Sequence, residues 1–244
     1  MRGDVVSEHE LPDLVEAAAR ATINERCASA FLHDMRGTMQ ALFSAFELLG
    51  RSAKLGGDNS LRVEKACDLA RRAITRHEKS TLDMLQLLTL QHCPAAAVDL
   101  GELVNEITHF LRNDAAGKDL ALRTSSVPNL TVWAERNRLQ TLLVGLLTAA
   151  IDAAPSGSEL PLAVRREGNH AVVCIGSAAA FDEIQNPPQP LDWHSRPLHS
   201  RELTLVFARQ FLEANGGILE IDTVGPQGAL NLYYPCLESP IDQG

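Results

Sequence analysis

At 244 residues the chain has room for two small domains, or for one domain with a helical appendage. Its 45% hydrophobic and 22% charged residues are those of a globular protein, and the net charge of −9 excludes nucleic acid as the main partner, because a phosphate backbone demands a basic face. No run of about 18 or more uncharged apolar residues occurs, so no membrane span is expected. Met1-Arg2-Gly3-Asp4 lacks the apolar core of a signal peptide, which makes the cytoplasm the expected compartment.

Residues 1–24 read as an N-terminal segment, acidic to about Asp13. From about Leu14 to Lys54 the pattern is helical, with Phe31 or Leu32, Met35, Met39, Leu42, Phe46 and Leu49 making one apolar stripe. Leu55-Gly56-Gly57-Asp58-Asn59-Ser60 is a turn, and Ser60 is placed to cap the next helix. A second stripe follows: Val63, Ala66 or Cys67, Ala70, Ile74, His77, Thr81, Met84 or Leu85, and Leu88. Two long helices on a short loop make an antiparallel hairpin, which cannot bury both stripes alone. Pairing with a second copy solves this, so residues 25–91 are predicted to form a homodimeric four-helix bundle.

His92-Cys93-Pro94-Ala95-Ala96-Ala97 reads as a linker, with Pro94 ending the second helix. Beyond it the pattern predicts helices at about Leu100–Arg112, Arg136–Ala153 and Arg201–Asn215. Strands fit Leu120–Thr124, Leu130–Trp133, Leu160–Arg165, Ala171–Ile175, Ile218–Asp222 and Ala229–Tyr234. Asn215-Gly216-Gly217 stops the last helix, and residues from about Ile184 to His199 form a proline-rich loop. Cys27, Cys67, Cys93, Cys174 and Cys236 are scattered without a C-x-x-C pair and read as reduced thiols. The eight histidines show no ligand spacing, so no metal site is expected.

The run Phe31-Leu32-His33-Asp34-Met35-Arg36-Gly37 carries the sharpest chemistry. His33 lies on the flank of the stripe, where its imidazole can meet an incoming phosphoryl group. Asp34 could orient a ring N–H or take a proton, and Arg36, one turn on, could neutralise phosphate oxygens. Alone, His-Asp-x-Arg is a short motif that a surface histidine satisfies by chance. In front of a hairpin, a linker and a mixed α/β region, it resembles the phospho-acceptor box of two-component histidine kinases. That box commonly continues with Asn or Thr and then Pro, where this chain has Gly37 and Thr38. The side chain that orients water for dephosphorylation of the partner is therefore missing. His77 sits at a stripe position and reads as a seam residue.

Residues 98–244 resemble the ATP-binding domain of the same family, with its boxes changed. Asn137–Pro155 looks like the helix that carries two asparagines for Mg²⁺ and phosphate; Gly145 and Ala149 stand there. Gly176-Ser177-Ala178-Ala179-Ala180-Phe181 replaces Asp-x-Gly-x-Gly, and Glu202-Leu203-Thr204 stands where a Gly-x-Gly opens a helix onto phosphate. The whole, over about residues 25–236, is similar to dimeric histidine phosphotransferases of the ChpT type. The resemblance implies an α + α/β chain, in which a dimeric helical hairpin precedes a degenerate kinase-like α/β sandwich. It further implies a relay of phosphoryl groups between receiver-domain aspartates through His33, with Asp34 and Arg36 assisting, and not an ATP-dependent kinase. ATP binding is not expected, and Mg²⁺ would come from the partner receiver. The expected partners are a second copy, receiver domains of response regulators and a hybrid histidine kinase. The rival reading is an inert adaptor that binds a kinase or receiver without carrying phosphate.

Overall fold

The computed structural model describes residues 11–55, 60–88, 93–176, 199–222 and 228–237. The chain divides into two compact units, Asn24–Thr89 and Met1–Ile23 with Leu90–Gly244. Helix α1 (Leu11–Leu55) contributes to both. Its 45 residues span about 68 Å at 1.5 Å per residue. Pro12 falls in its first turn, where a missing N–H costs nothing, with Asp13 beside it and Lys54 at the far end to suit the helix dipole. Where the sequence suggested a start near Leu14, the helix runs from Leu11, so His33 lies near its middle.

The Asn24–Thr89 unit is a hairpin of α1 with α2 (Ser60–Leu88). Apart from Met84 on α2, the residues buried within it are small or polar: Cys27, Asp34, Thr38, Ala45 and Ser52 on α1, and Ala66 and Ala73 on α2. Cys27, Asp34, Ala45 and Ser52 follow steps of seven or eleven, the spacing of a helix-pair seam. Thr38 Oγ1 donates to Met35 O at 2.8 Å and Ser52 Oγ to Leu48 O at 2.9 Å, so both hydroxyls are satisfied within their own helix. The large apolar side chains lie elsewhere. Leu32, Met39 and Phe46 of the expected stripe are exposed, with Phe43 beside them, and Phe31, Met35, Leu42 and Leu49 are only half-buried. On α2, Ile74 and Leu85 of the expected stripe are exposed, together with Leu61 and Leu82. A single hairpin thus leaves its bulky apolar side chains outside its own seam, as two helices alone must.

The second unit holds β1 (Ala96–Asp99), α3 (Leu100–Gly117), β2 (Ala121–Ser126), β3 (Thr131–Ala134), α4 (Arg136–Ala153), β4 (Glu159–Glu167), β5 (His170–Gly176), α5 (Ser200–Ala214), β6 (Ile218–Asp222) and β7 (Ala229–Pro235). Five strands form one sheet in the order β2-β4-β5-β7-β6, with β2 parallel to β4 and the remaining pairs antiparallel. The rows Leu162–Ile175–Leu230 and Val164–Val173–Leu232 lie in register across three strands and are buried. They alternate with the more polar face, the period of a sheet covered on one side by helices. The first two residues of β1, Ala96 and Ala97, fall in the stretch that reads as linker. Ala-Ala-Val-Asp has little strand preference of its own, and pairing with β3 makes it a strand. Asp99 then caps α3, its Oδ1 accepting from Glu102 N at 2.8 Å. Gly216 closes α5 at φ +72°, and a Cβ on Gly217 would stand 2.4 Å from Tyr233 O, so both glycines are required. The expected loop from Ile184 lies outside the described residues, save His199.

Candidate functional site

His33 is exposed on α1 within the hairpin unit. Gly37 follows it by one turn, and nothing lies within 4 Å of where a Cβ would be. Helical side chains lean towards the N-terminus, so residue i+4 ordinarily covers the flank of residue i. Glycine at 37 leaves that flank of His33 uncovered. Arg36, three residues on, is exposed too.

Asp34 points elsewhere. Consecutive helical residues diverge by about 100°, and Asp34 is 8% exposed in the seam. Its Oδ1 accepts a hydrogen bond from Nη2 of Arg76, on α2. Arg76 has no signature in the sequence, since 42 residues separate it from Asp34. His77, expected in the seam, is half-buried, and its Nδ1 is shut off from solvent without a hydrogen-bond partner among the described residues.

In the α/β unit, α4 carries Gly145 and Ala149, the positions that the resemblance compares with asparagines. From Thr141 to Ile151 every residue is buried. A helix buried on all sides must be covered on the side away from its sheet as well. At Gly145 a Cβ would stand 2.6 Å from Ile23 Cδ1 and 2.9 Å from Thr204 Cγ2, so α1 and α5 fill that position. Ala149 is buried as well. At Gly176 a Cβ would stand 2.5 Å from Pro161 Cγ, which rules out any side chain there without a shift of β4. At the start of α5 the Glu202 carboxylate accepts from His199 N at 2.9 Å, and Glu202 is buried. The helix N-terminus, a natural anion site, is thus met by the protein's own anion. Ser177–Phe181 lie outside the described residues.

Arg138 stands at the head of the same face of α4. It donates to Glu16 Oε1 from Nε at 3.0 Å and to Glu16 Oε2 from Nη2, and it lies 5.3 Å over the Phe211 ring. Burial works to lower its pKa, but the hydrogen-bonded carboxylate of Glu16, and then that of Glu135, outweigh it and hold the guanidinium above its usual value. Among the described residues no three His, Cys, Asp or Glu side chains gather as metal ligands, and no helix is long and apolar enough to cross a membrane.

No protein-family model matches the chain. It is 20% identical over 237 residues to the sensor histidine kinase ZraS of Salmonella typhi, covering 95% of this chain and 50% of that one. With ZraS of Klebsiella oxytoca it shares 22% over 212 residues, 85% of this chain and 45% of the relative. The chain therefore spans about half the length of these curated relatives. Among solved structures, the catalytic domain of histidine kinase ThkA gives a TM-score of 0.47 at 17% identity, over 59% of this chain and 96% of that one. The Acinetobacter baumannii histidine kinase AdeS gives 0.46 at 13%, over 83% and 97%. By sequence, along nearly its whole length, the chain is a homologue of the sensor histidine kinases.

Proposed function

We propose that this chain is a histidine phosphotransferase of a cytoplasmic two-component relay, carrying phosphoryl groups on His33 between receiver-domain aspartates. One observation carries the reading: His33 is open while the described nucleotide-box positions are filled by the protein's own side chains. A chain so built takes its phosphoryl group from another protein and not from ATP. Homology to sensor histidine kinases supports the two-component setting.

The transfer follows from imidazole chemistry. The lone pair of one ring nitrogen attacks phosphorus, an N–P bond forms, the P–O bond of the acyl phosphate breaks, and the receiver carboxylate leaves. The other ring nitrogen keeps its proton. The second transfer is the same exchange in reverse, onto a new carboxylate. Arg36 offers a planar set of donors to the phosphate oxygens. Asp34, tied to Arg76 across the seam, holds the two helices in register beneath the imidazole, so the nucleophile rides on a rigid support. The receiver's own Mg²⁺ would supply charge neutralisation during transfer.

The reading includes a homodimer. Leu32, Met39, Phe43 and Phe46 on α1, with Ile74, Leu82 and Leu85 on α2, form outer apolar faces that a second hairpin would bury as a four-helix bundle. The same exposed faces equally suit an adaptor that docks a kinase or receiver without carrying phosphate. Incubation with a panel of phosphorylated receiver domains, comparing the wild type with His33→Ala, separates the two. The relay predicts an acid-labile label on the wild type and none on the variant. Receiver binding by both proteins with no label on either would leave the adaptor.

A further inference from the structure

The first turns of α1 belong with the α/β unit and not with the hairpin. Val15, Ala19 and Ile23 are all buried, at steps of four that place them on one stripe. Glu16 lies beside that stripe, paired with Arg138. Ile23 fills the notch at Gly145. From Glu16 to Ile23 is seven residues, and so is Arg138 to Gly145. Two contacts at equal spacing mean that α1 and α4 run in the same direction and meet through side chains at these two points. A glycine in one helix receiving a branched side chain from the other is ridge-into-groove packing with the groove deepened by a missing Cβ.

Glycine inside a helix lowers its stability by about 1 kcal/mol relative to alanine. Close packing against Ile23 is what offsets that cost at Gly145. The Glu16–Arg138 pair is largely withdrawn from solvent, its side chains 15% and 27% exposed. Arg20 is a second partner of Glu16 at 2.7 Å and Glu135 a second partner of Arg138 at 3.1 Å, so the pair stands in a chain of four alternating charges.

We propose that the α4–α5 face is a helix-docking site, not a nucleotide site, and that its occupant is residues 11–23 of the chain's own α1. Ile23 is the knob, Gly145 and Thr204 form the hole, and Glu16–Arg138 is the latch. The docking stands whether or not His33 carries phosphate, and its tests use no phosphoryl transfer. It gives the altered nucleotide helix a definite new ligand, an apolar helical stripe with one flanking carboxylate.

A double-mutant cycle on the full chain tests it, read by melting temperature and by amide hydrogen exchange of residues 11–23. Gly145→Leu should lower the melting temperature and speed exchange in that segment at least tenfold. Ile23→Ala in the same chain should restore much of both, because the new leucine then fills the space. If α1 does not dock there, leucine still meets Thr204, but exchange in 11–23 is unchanged and the double variant is additive. That result overturns the proposal. Should Gly145→Leu fail to fold, a second cycle on the two charges replaces it. Glu16→Gln and Arg138→Gln should each speed exchange in residues 11–23, and the two together should lose less than the sum of the two. Full additivity of the two losses would equally sink the docking.

Discussion

Tyr234, on β7, is 3% exposed, and its hydroxyl has no hydrogen-bond partner among the described residues. Burial pushes its pKa above the usual phenol value of 10.0, against a smaller pull from Arg138. In the unfolded chain the phenol ionises near pH 10 and in the folded chain it does not. Above pH 10 the unfolded state therefore binds fewer protons, and stability falls as pH rises, by up to about 1.4 kcal/mol per unit. Tyr234→Phe removes that contribution and flattens the alkaline limb. Near pH 7 it should be neutral or gain roughly 1 kcal/mol, since an unsatisfied hydroxyl is lost with the ring packing kept. Denaturant melts at pH 7 and above pH 10 check both; a loss above about 1 kcal/mol at pH 7 would mean that the hydroxyl has a partner. Not every residue of the site was readable at this scale. His33 and Arg36 stand out in the sequence because the motif is local. The tie from Asp34 to Arg76 is not, because it depends on how two helices 42 residues apart in sequence come to face each other.

At the scale of elements, the hairpin separates what its two faces do. Mostly small or polar residues are buried within the hairpin, and most large apolar residues remain outside. Phe43 and Phe46 are 66% and 65% exposed, so a single hairpin gains little from them. In a two-fold dimer four such rings would be buried, at about 2 kcal/mol each. Replacing both by serine should therefore weaken association by about 8 kcal/mol, on the order of 10⁶-fold, while helix content stays the same. Sedimentation at varied concentration reads the first and circular dichroism the second. A variant that stays dimeric at wild-type affinity would remove the bundle from the proposal. The helical periods showed that both helices exist, and α4 falls on Arg136–Ala153 as its pattern predicts. They did not show which apolar positions face inward, because a period marks a stripe without naming its partner. Nor did they reveal β1, whose Ala-Ala-Val-Asp becomes a strand only through the register Val98–Val132.

For the molecule as a whole, frame and site have separated. Rows of registered side chains such as Val164–Val173–Leu232 keep the sheet and its helices together. The resemblance read in the sequence sets Gly145, Ala149 and Gly176 where a histidine kinase would carry two asparagines and an aspartate. What it could not reveal is that Gly145 and Gly176 are closed by neighbouring side chains. The filling atoms come from Ile23, Thr204 and Pro161, each distant in sequence from the position it closes. This distinguishes a site that has lost its ligands from one that has been built over, and the two respond oppositely to repair. Putting Asn at 145 and 149 and Asp at 176 would restore affinity for Mg²⁺–ATP in an empty pocket and leave the fold alone. In this chain the new atoms meet Ile23 and Pro161 at less than contact distance. Overpacking typically costs 1–3 kcal/mol for each such insertion. The triple variant Gly145→Asn, Ala149→Asn, Gly176→Asp should therefore melt well below the wild type and show no heat of nucleotide binding in titration calorimetry. Micromolar binding at an unchanged melting temperature would mean that the pocket is open, and that only its side chains had been lost.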